Sequence, residues 1–588
     1  MSAPRLSEFI KAYDVRGLVP EQLNSEVAFA IGSAFAQVVA RPDGATSIVV
    51  GHDMRPSSPD LSRAFAEGAA SHGLDVTLIG LCSTDGLYYA SGSLDVPGAM
   101  FTASHNPAQY NGIKLCRSGA RPVGQDTGLG EVRDLAQSLL DSSSASAPST
   151  SSPPTSETVA GIIGERDVLA GYATFLRGLV DLSDIRPLTV VVDAGNGMGG
   201  HTVPAVLGTL GGLPTLPLTV IPLYFELDGT FPNHEANPLN PENLRDLQAA
   251  VIAQGADLGL AFDGDADRCF VVDERGEPVS PSAITALVAT REIAKERAEG
   301  RDARIVYNVI SSAAVPEIIT EAGATAVRTR VGHSFIKGEM ARNKAVFGGE
   351  HSAHYYFRDF WFADTGMLAA MHVLAALGEQ SRPISEVVAR FTRYAASGEI
   401  NSTVADGRAA TSDVRAWAQA WAKANGEVVE FDELDGMTVS HQAHPMWWFN
   451  LRASNTEPLL RLNVEAADEA TMERVRDDVL STVRGENLMA EETDPIAHSS
   501  IPPVPAPPVP APPVPAPPAP QTASSPAPGI EPWLREILRC PNCGSTLLDG
   551  SGPRGPELQC TNTECRLAYR IDDGIPVLLV DESRSLAN

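Results

Sequence analysis

Residues 101 to 107 read FTASHNP and set a serine beside a histidine in a turn between an apolar run, VPGAMF, and a proline. A hydroxyl so placed is open to solvent and ligand. Ser104 is thus a candidate nucleophile or phosphate carrier, although Asx and Ser/Thr turns use the same residues with no chemistry. A phosphoserine carries about −1.5 to −2 charges and needs cations around it, and Lys114 of the downstream NGIK supplies one. AFDGDADR then places Asp263, Asp265 and Asp267 at every second position. Carboxylates that close repel one another unless they share a cation. An EF-hand is the obvious rival, but its glycine position holds Arg268 and the flanks, ADLGLAF and CFVVD, are strand-like rather than helical. Three hard oxygen ligands suit a Mg2+ ion that completes its shell with water and a phosphate oxygen.

Two further motifs bind rather than react. GGEHSAHYYF gathers Glu350, Ser352 and His354 after a pair of glycines, a set able to hydrogen-bond sugar hydroxyls. RASNTEP offers Arg452 for bidentate contact with a phosphate, beside the hydroxyls of Ser454 and Thr456, the amide of Asn455 and turn N–H groups. Either motif alone also fits an ordinary polar turn. Near the far end, Cys540 and Cys543 are followed after sixteen residues by Cys560 and Cys565. Four thiolates in two close pairs suit a tetrahedral structural Zn2+ site, which leaves no coordination position for catalysis.

These residues need scaffolds. The chain has 588 residues, which at roughly 150 per domain suggests about four domains. Short β-branched runs alternate with helical patterns: SIVVG from 47, DVTLIG from 75, TVVVDAGNG from 189, ADLGLAFDGDAD from 256 and RIVYNV from 304. Strand then helix, repeated, predicts α/β domains with mainly parallel sheets. From about 395 to 485 the pattern turns α+β, with strand-like WWFNLRAS and RLNVEA before the helical ATMERVRDDVLSTVR. No internal repeat is evident in the residues. DSSSASAPSTSSPPTSE, from 141 to 157, reads as an exposed inserted loop, and the thrice-repeated PPVPA after Pro502 as a semi-rigid polyproline spacer.

Composition narrows the partners. Asp and Glu outnumber Lys and Arg 73 to 44, a formal charge of −29, which argues against broad attraction to nucleic acid or an anionic membrane. A phosphorylated ligand must be held by a local reversal of that field. No run approaches the ~18 apolar residues of a bilayer span, and MSAPRLSEFIK lacks the apolar core of a signal peptide, so a reduced cytoplasmic setting is expected.

The four motifs together, in this order, resemble the α-D-phosphohexomutase superfamily over roughly residues 8 to 485, and GGEHSAHYYFRDFWFADTG and NLRASNTEPLLRLNVE look most like its bacterial phosphomannomutases. The resemblance implies a heart-shaped four-domain enzyme: domain I over 1–140, a Ser/Pro-rich loop over 141–160, then domains II, III and IV over 161–276, 277–392 and 393–487. It implies that Ser104 carries the transferable phosphoryl group and binds Mg2+ with Asp263, Asp265 and Asp267. Glu350 and Ser352 would bind sugar O3 and O4, and Arg452 to Thr456 the non-reacting phosphate, in a domain expected to close over the substrate. A hexose 1,6-bisphosphate would be both intermediate and activator. Arg268 would offset charge on the transferring group. Arg16, His105, Lys114 and His354 are open alternatives for phosphate contact and acid/base work, and His333 and Lys337 are expected to face the cleft. Ala353 stands where the common form of the sugar loop has glycine. Ile310 and Ser311 stand where a basic residue is often found. Contacts at O3 and O4 are blind to C2, so dual activity on mannose and glucose phosphates is the alternative to a phosphomannomutase, with a phosphoglucosamine mutase further behind.

Beyond a Pro-rich linker over 488–530, residues 531–588, with YRIDDGIPVLLVDES, resemble the small Trm112-like zinc-ribbon proteins, whose eukaryotic members bind and activate methyltransferases. That implies a β-rich module and a methyltransferase-like protein partner. The competing expectation is a passive tail, and truncation near Ala490 separates the two. Nucleic-acid binding is disfavoured by the absence of a basic cluster there.

Overall fold

The computed structural model describes residues 4–11, 14–145, 159–453 and 459–485 and, toward the C-terminus, 538–552, 555–562, 565–572, 575–578, 580 and 583–585. The chain divides into two units, Met1–Ala490 and Glu491–Asn588.

Three sheets of the first unit share one scheme. In the first, strands Tyr110–Arg117, Gly98–Phe101, Ser47–His52 and Asp75–Leu81 lie side by side in that order, flanked by Val15–Leu18 and Ile163–Glu165. In the second the order is Cys269–Val272, Leu258–Phe262, Leu188–Asp193 and Leu218–Leu223, and in the third Tyr355–Phe357, Phe347–Gly349, Arg304–Asn308 and Thr325–Thr329. In each quartet the last three strands are parallel and the first runs antiparallel beside them. Sequence inspection missed this repeat because what recurs is strand order, with few residues in common. The expectation of mainly parallel sheets gives way to mixed ones, because further antiparallel strands extend each quartet at its antiparallel edge. Loops 102–109, 263–268 and 350–354 are too short for a crossover and can only turn the chain back beside itself. Those three reversals carry Ser104, the three aspartates and the run from Glu350 to His354.

The central strands, Ser47–His52 and Leu188–Asp193, are buried almost throughout, which explains their unbroken β-branched runs. A continuous apolar core joins residues of all three domains, from Val49 and Leu87 through Val191 and Leu260 to Phe347 and Leu374. The fourth sheet is wholly antiparallel, Ala395–Thr403, Leu459–Ala466, Trp447–Ala453, Met437–His441 and Glu430–Asp432, and packs on helices Gly407–Asn425 and Glu469–Arg484. The α+β reading of this region therefore holds.

Strand Ile163–Glu165, within the span assigned from sequence to domain II, pairs with Asp75–Leu81 of the first sheet. Helix Leu129–Ala145 runs on into the Ser/Pro-rich stretch, correcting the expected loop start at 141. Serine is tolerated at the end of a helix whose apolar face is already packed. The rest of that stretch and the proline spacer lie outside the described residues. The second unit contains antiparallel strands Leu547–Gly552, Gly555–Cys560 and Leu567–Asp572, a β-rich module as expected.

Candidate active site

The serine turn is held from beneath. Ser104 is buried at φ 51°, a left-handed conformation unusual for a residue with a Cβ. Its N–H donates to Thr102 Oγ1 at 2.9 Å. Arg55, 1 % exposed, donates to the carbonyls of Ser104, Asn106, Pro107 and Tyr110 at 2.6 to 3.0 Å. Its Nε faces Asp53 at 3.3 Å, and Phe231 of the second domain covers the guanidinium. Ser104 Oγ thereby reaches the second domain: it donates to Asp263 Oδ2 at 2.8 Å, accepts from Arg268 Nη2 at 3.1 Å and lies 3.2 Å from His105 Nδ1.

The single glycine of AFDGDADR, Gly264, makes this approach possible. A Cβ on Gly264 would stand 2.4 Å from the Ser104 carbonyl oxygen, closer than nonbonded atoms come. Gly264→Ala must push the two loops apart, and a misplacement of about 1 Å can cost ~10²-fold in rate. We expect kcat of the variant to fall by about that factor with the protein still folded, as read by a turnover assay beside thermal melting.

Asp263, Asp265 and Asp267 are all buried, with ligand atoms within 4.8 Å of one another. Lys114 Nζ lies 2.7 Å from Asp265 Oδ2 and 2.6 Å from Asp267 Oδ2, while Oδ1 of each is buried without a hydrogen-bond partner among the described residues. Burial raises the pKa of Asp263 to about 7 against the attraction of Arg268. Burial also opposes charge on Asp267, yet Lys114 and His354 hold it below the usual carboxylate range. Three buried carboxylates, two of them with an oxygen lacking a hydrogen-bond partner among the described residues, fit a hard divalent cation. His105 is neutral, because burial and then Arg268, Arg16, His354 and Lys114 press its pKa well below the ordinary value. Arg268 Nη2 faces its Nδ1. Arg16 donates to the Ala103 carbonyl at 3.3 Å and to Asn106, with Asp14 holding its Nε at 2.8 Å.

The third-domain loop closes on the same place. Glu350 accepts from Asn308 Nδ2 at 3.2 Å, Gly332 N at 3.0 Å and Tyr356 OH at 2.7 Å. Ser352 Oγ lies 3.1 Å from His354 Nδ1, and His354 Nε2 lies 3.6 Å from Asp267 Oδ1. Ala353 adopts φ 64° and is fully buried, which explains why glycine suits this position. Lys337 is buried in an ion pair with Asp364 at 2.6 Å, its ammonium 4.0 Å from the Tyr88 ring centroid. Burial and then Lys337 press His333 down to about 3, so it is neutral. In the fourth domain Arg452 donates to Glu399 at 2.9 Å, while Ser454, Asn455 and Thr456 lie outside the described residues.

Sequence reasoning missed Arg55, Asp364, Asn308 and Thr84. Asp53 and Arg55, two apart after a buried strand, carried a usable signal, since a charged pair there must be buried together. A cavity of about 440 Å³ between His52, Arg63, Gly80, Arg166 and His201 does not touch the serine turn. In the second unit, Cys540 and Cys565 Sγ are 3.6 Å apart and Cys543 and Cys560 Sγ 3.4 Å apart, close to the ~3.8 Å edge of a tetrahedron with 2.3 Å Zn–S bonds. Tyr569 OH lies 3.2 Å from Cys540 Sγ, and Asn542 donates to Cys565 at 3.3 Å.

Three like-built sheets bring a serine turn, a carboxylate loop and the loop of Glu350 to His354 together, beside an α+β fourth domain, the arrangement expected of a phosphohexomutase. Family models agree: phosphoglucomutase/phosphomannomutase alpha/beta/alpha domains I, II and III match residues 8–138, 170–276 and 280–394, and the C-terminal domain matches 399–482. The chain is 38 % identical over 478 residues to a phosphomannomutase of Escherichia coli, covering 81 % of this chain and 98 % of the other. It is 38 % identical over 480 residues to phosphohexose mutases of Xanthomonas campestris, covering 81 % and 99 %. A crystal structure of a phosphoglucomutase/phosphomannomutase family protein from Burkholderia thailandensis superposes with a TM-score of 0.69 at 29 % identity, covering 82 % and 98 %. The chain belongs to the phosphoglucomutase/phosphomannomutase family and is a mutase of the isomerase class. No helix among the described residues is long and apolar enough to cross a membrane.

Proposed function

We propose that the protein interconverts mannose 6-phosphate and mannose 1-phosphate through phosphoserine 104 and a hexose 1,6-bisphosphate. The observation that carries this is Ser104 Oγ, 2.8 Å from Asp263 Oδ2 and 3.1 Å from Arg268 Nη2. The phosphoryl group leaves Ser104 Oγ for a sugar hydroxyl, which loses its proton; the bisphosphate turns over and returns its other phosphoryl group to Ser104. Such transfer is chiefly positioning and charge neutralisation. Arg268 faces the transferring group, Arg16 and Lys114 add positive charge, and the sugar hydroxyl gives its proton to His354 or His105. Asp263, Asp265 and Asp267 would hold Mg2+, which supplies further neutralisation when bound. Glu350 and Ser352 bind the sugar, His333 and Lys337 line its cleft, and Arg452 to Thr456 grip the distal phosphate as the fourth domain closes. Product mannose 1-phosphate then feeds activated-mannose (GDP-mannose) synthesis in the cytoplasm.

The test is ³¹P NMR of mannose 1-phosphate and glucose 1-phosphate with Mg2+ and a trace of hexose 1,6-bisphosphate. Conversion to 6-phosphates supports the reading, and the ratio of rates decides between the mannose-selective enzyme and the dual one. No turnover of either sugar overturns it.

Residues 531–588 are proposed as a Trm112-like zinc ribbon serving a protein partner of methyltransferase type. Sulfur spacing near that of a tetrahedral site supports the metal. Full-length protein should contain about one zinc per chain by mass spectrometry, and Cys540→Ser should lose most of it with phosphosugar turnover unchanged, because three thiolates bind weakly and the ribbon takes no part in catalysis.

A further inference from the structure

Thr84 and Asp85 open helix Thr84–Leu94 of the first domain, behind the N-cap Ser83. Between them they touch both neighbouring domains. Thr84 donates its N–H to the Asp265 carbonyl at 3.0 Å and its hydroxyl to Asp265 Oδ2 at 2.6 Å. Asp85 is fully buried and makes no ion pair among the described residues. Its charge is met by three hydroxyls: Ser83 on Oδ1, and Tyr172 and Thr365 on Oδ2, each at 2.7 Å. Tyr172 lies on helix Leu169–Leu179 of the second domain and Thr365 caps helix Gly366–Gly378 of the third.

The Thr365 contact leads to the reaction centre. Its hydroxyl donates to Asp85 and accepts from Leu368 N at 3.1 Å, so the carboxylate orients the cap. The helix starts hard against the carboxylate loop, since a Cβ on Gly366 would stand 2.6 Å from the Arg268 carbonyl carbon. Asp364, just before the cap, holds Lys337 and lies in one cluster with Asp267 and His354. A buried carboxylate is costly unless fully hydrogen-bonded. A merely adhesive contact between domains would need only apolar side chains. What the carboxylate adds is direction, because lone pairs of one oxygen receive hydroxyls from two domains.

We propose that Asp85 is a positioning residue which, with Thr84, holds the Asp263–Asp267 loop and Arg268 in register with Ser104 across three domains. The kinetic part of the proposal rests on the mutase reading above; the metal-binding part stands without it.

The experiment compares full-length Asp85→Asn, Thr365→Val and the conservative Thr365→Ser. Mn2+ binding is followed by EPR without substrate, kcat and KM by ³¹P NMR or a coupled assay, and folding by thermal melting. Asp85→Asn and Thr365→Val should weaken Mn2+ binding about tenfold and lower kcat tenfold or more, with KM for the hexose phosphate within threefold, while Thr365→Ser stays near wild type. If Asp85→Asn does not fold, Thr365→Val decides, since it removes one hydroxyl and keeps the shape. The proposal is overturned if the folded variants bind Mn2+ within twofold of wild type, or if Thr365→Ser is impaired as much as Thr365→Val. Wild-type protein that binds Mn2+ but turns over neither sugar overturns the mutase reading and leaves the Mn2+ comparison to decide this proposal.

Discussion

Ser104→Ala should lose phosphosugar turnover by ~10⁴-fold or more, about 5.5 kcal/mol of transition-state stabilisation. The expectation follows from one oxygen. Ser104 Oγ lies between Asp263, Arg268 and His105, at the meeting point of the first two domains. Removing it should spare the fold, because Asp263 keeps the N–H and Nε of Arg268, at 3.1 and 2.8 Å. ³¹P NMR with bisphosphate added reads the loss directly. Turnover above one hundredth of wild type would mean that another group carries the phosphoryl transfer, and the assignment of Ser104 would fail.

Arg55→Met should be the most destabilising single change near the site. The guanidinium is fully buried against the equally buried Asp53, and its other donors fill four carbonyls of the serine turn. Methionine of similar length leaves Asp53 without its cation. Breaking a buried pair from one side costs about 3–5 kcal/mol. The unsatisfied carbonyls add to that, at about 1–3 kcal/mol each where water cannot reach them. Urea unfolding of the variant should show a loss of at least about 3 kcal/mol, with kcat down ~10²-fold because the turn is no longer pinned. A loss under about 1 kcal/mol with turnover within threefold of wild type would show that the turn keeps its shape without this clasp.

Ser104, the three aspartates and Glu350 stood out because each sits in a short polar motif after an apolar strand; the expectation that the serine is open to solvent is corrected, since all five are buried where loops of different domains meet. The four-cysteine spacing was legible for a different reason, since few roles other than a metal need two close thiol pairs. Strand runs such as SIVVG and ADLGLAF announced buried central strands, whose only solvent is neighbouring hydrocarbon.

Arg55 and Asp85 were illegible. In sequence each is an ordinary charged residue, and each acquires its role from partners 49 to 280 positions away. Motif identity, strand propensity and metal-ligand chemistry are local properties, so the amino-acid sequence by itself determined the α/β class, the serine turn, the carboxylate loop and the thiolate set. Tertiary structure alone decided that three domains repeat one strand order and that Ser104 faces Asp263. It also decided that His105 is neutral and that Lys114 and Lys337 are paired with carboxylates. Burial and long-range contact set those states, and neither exists until the separate segments are packed together.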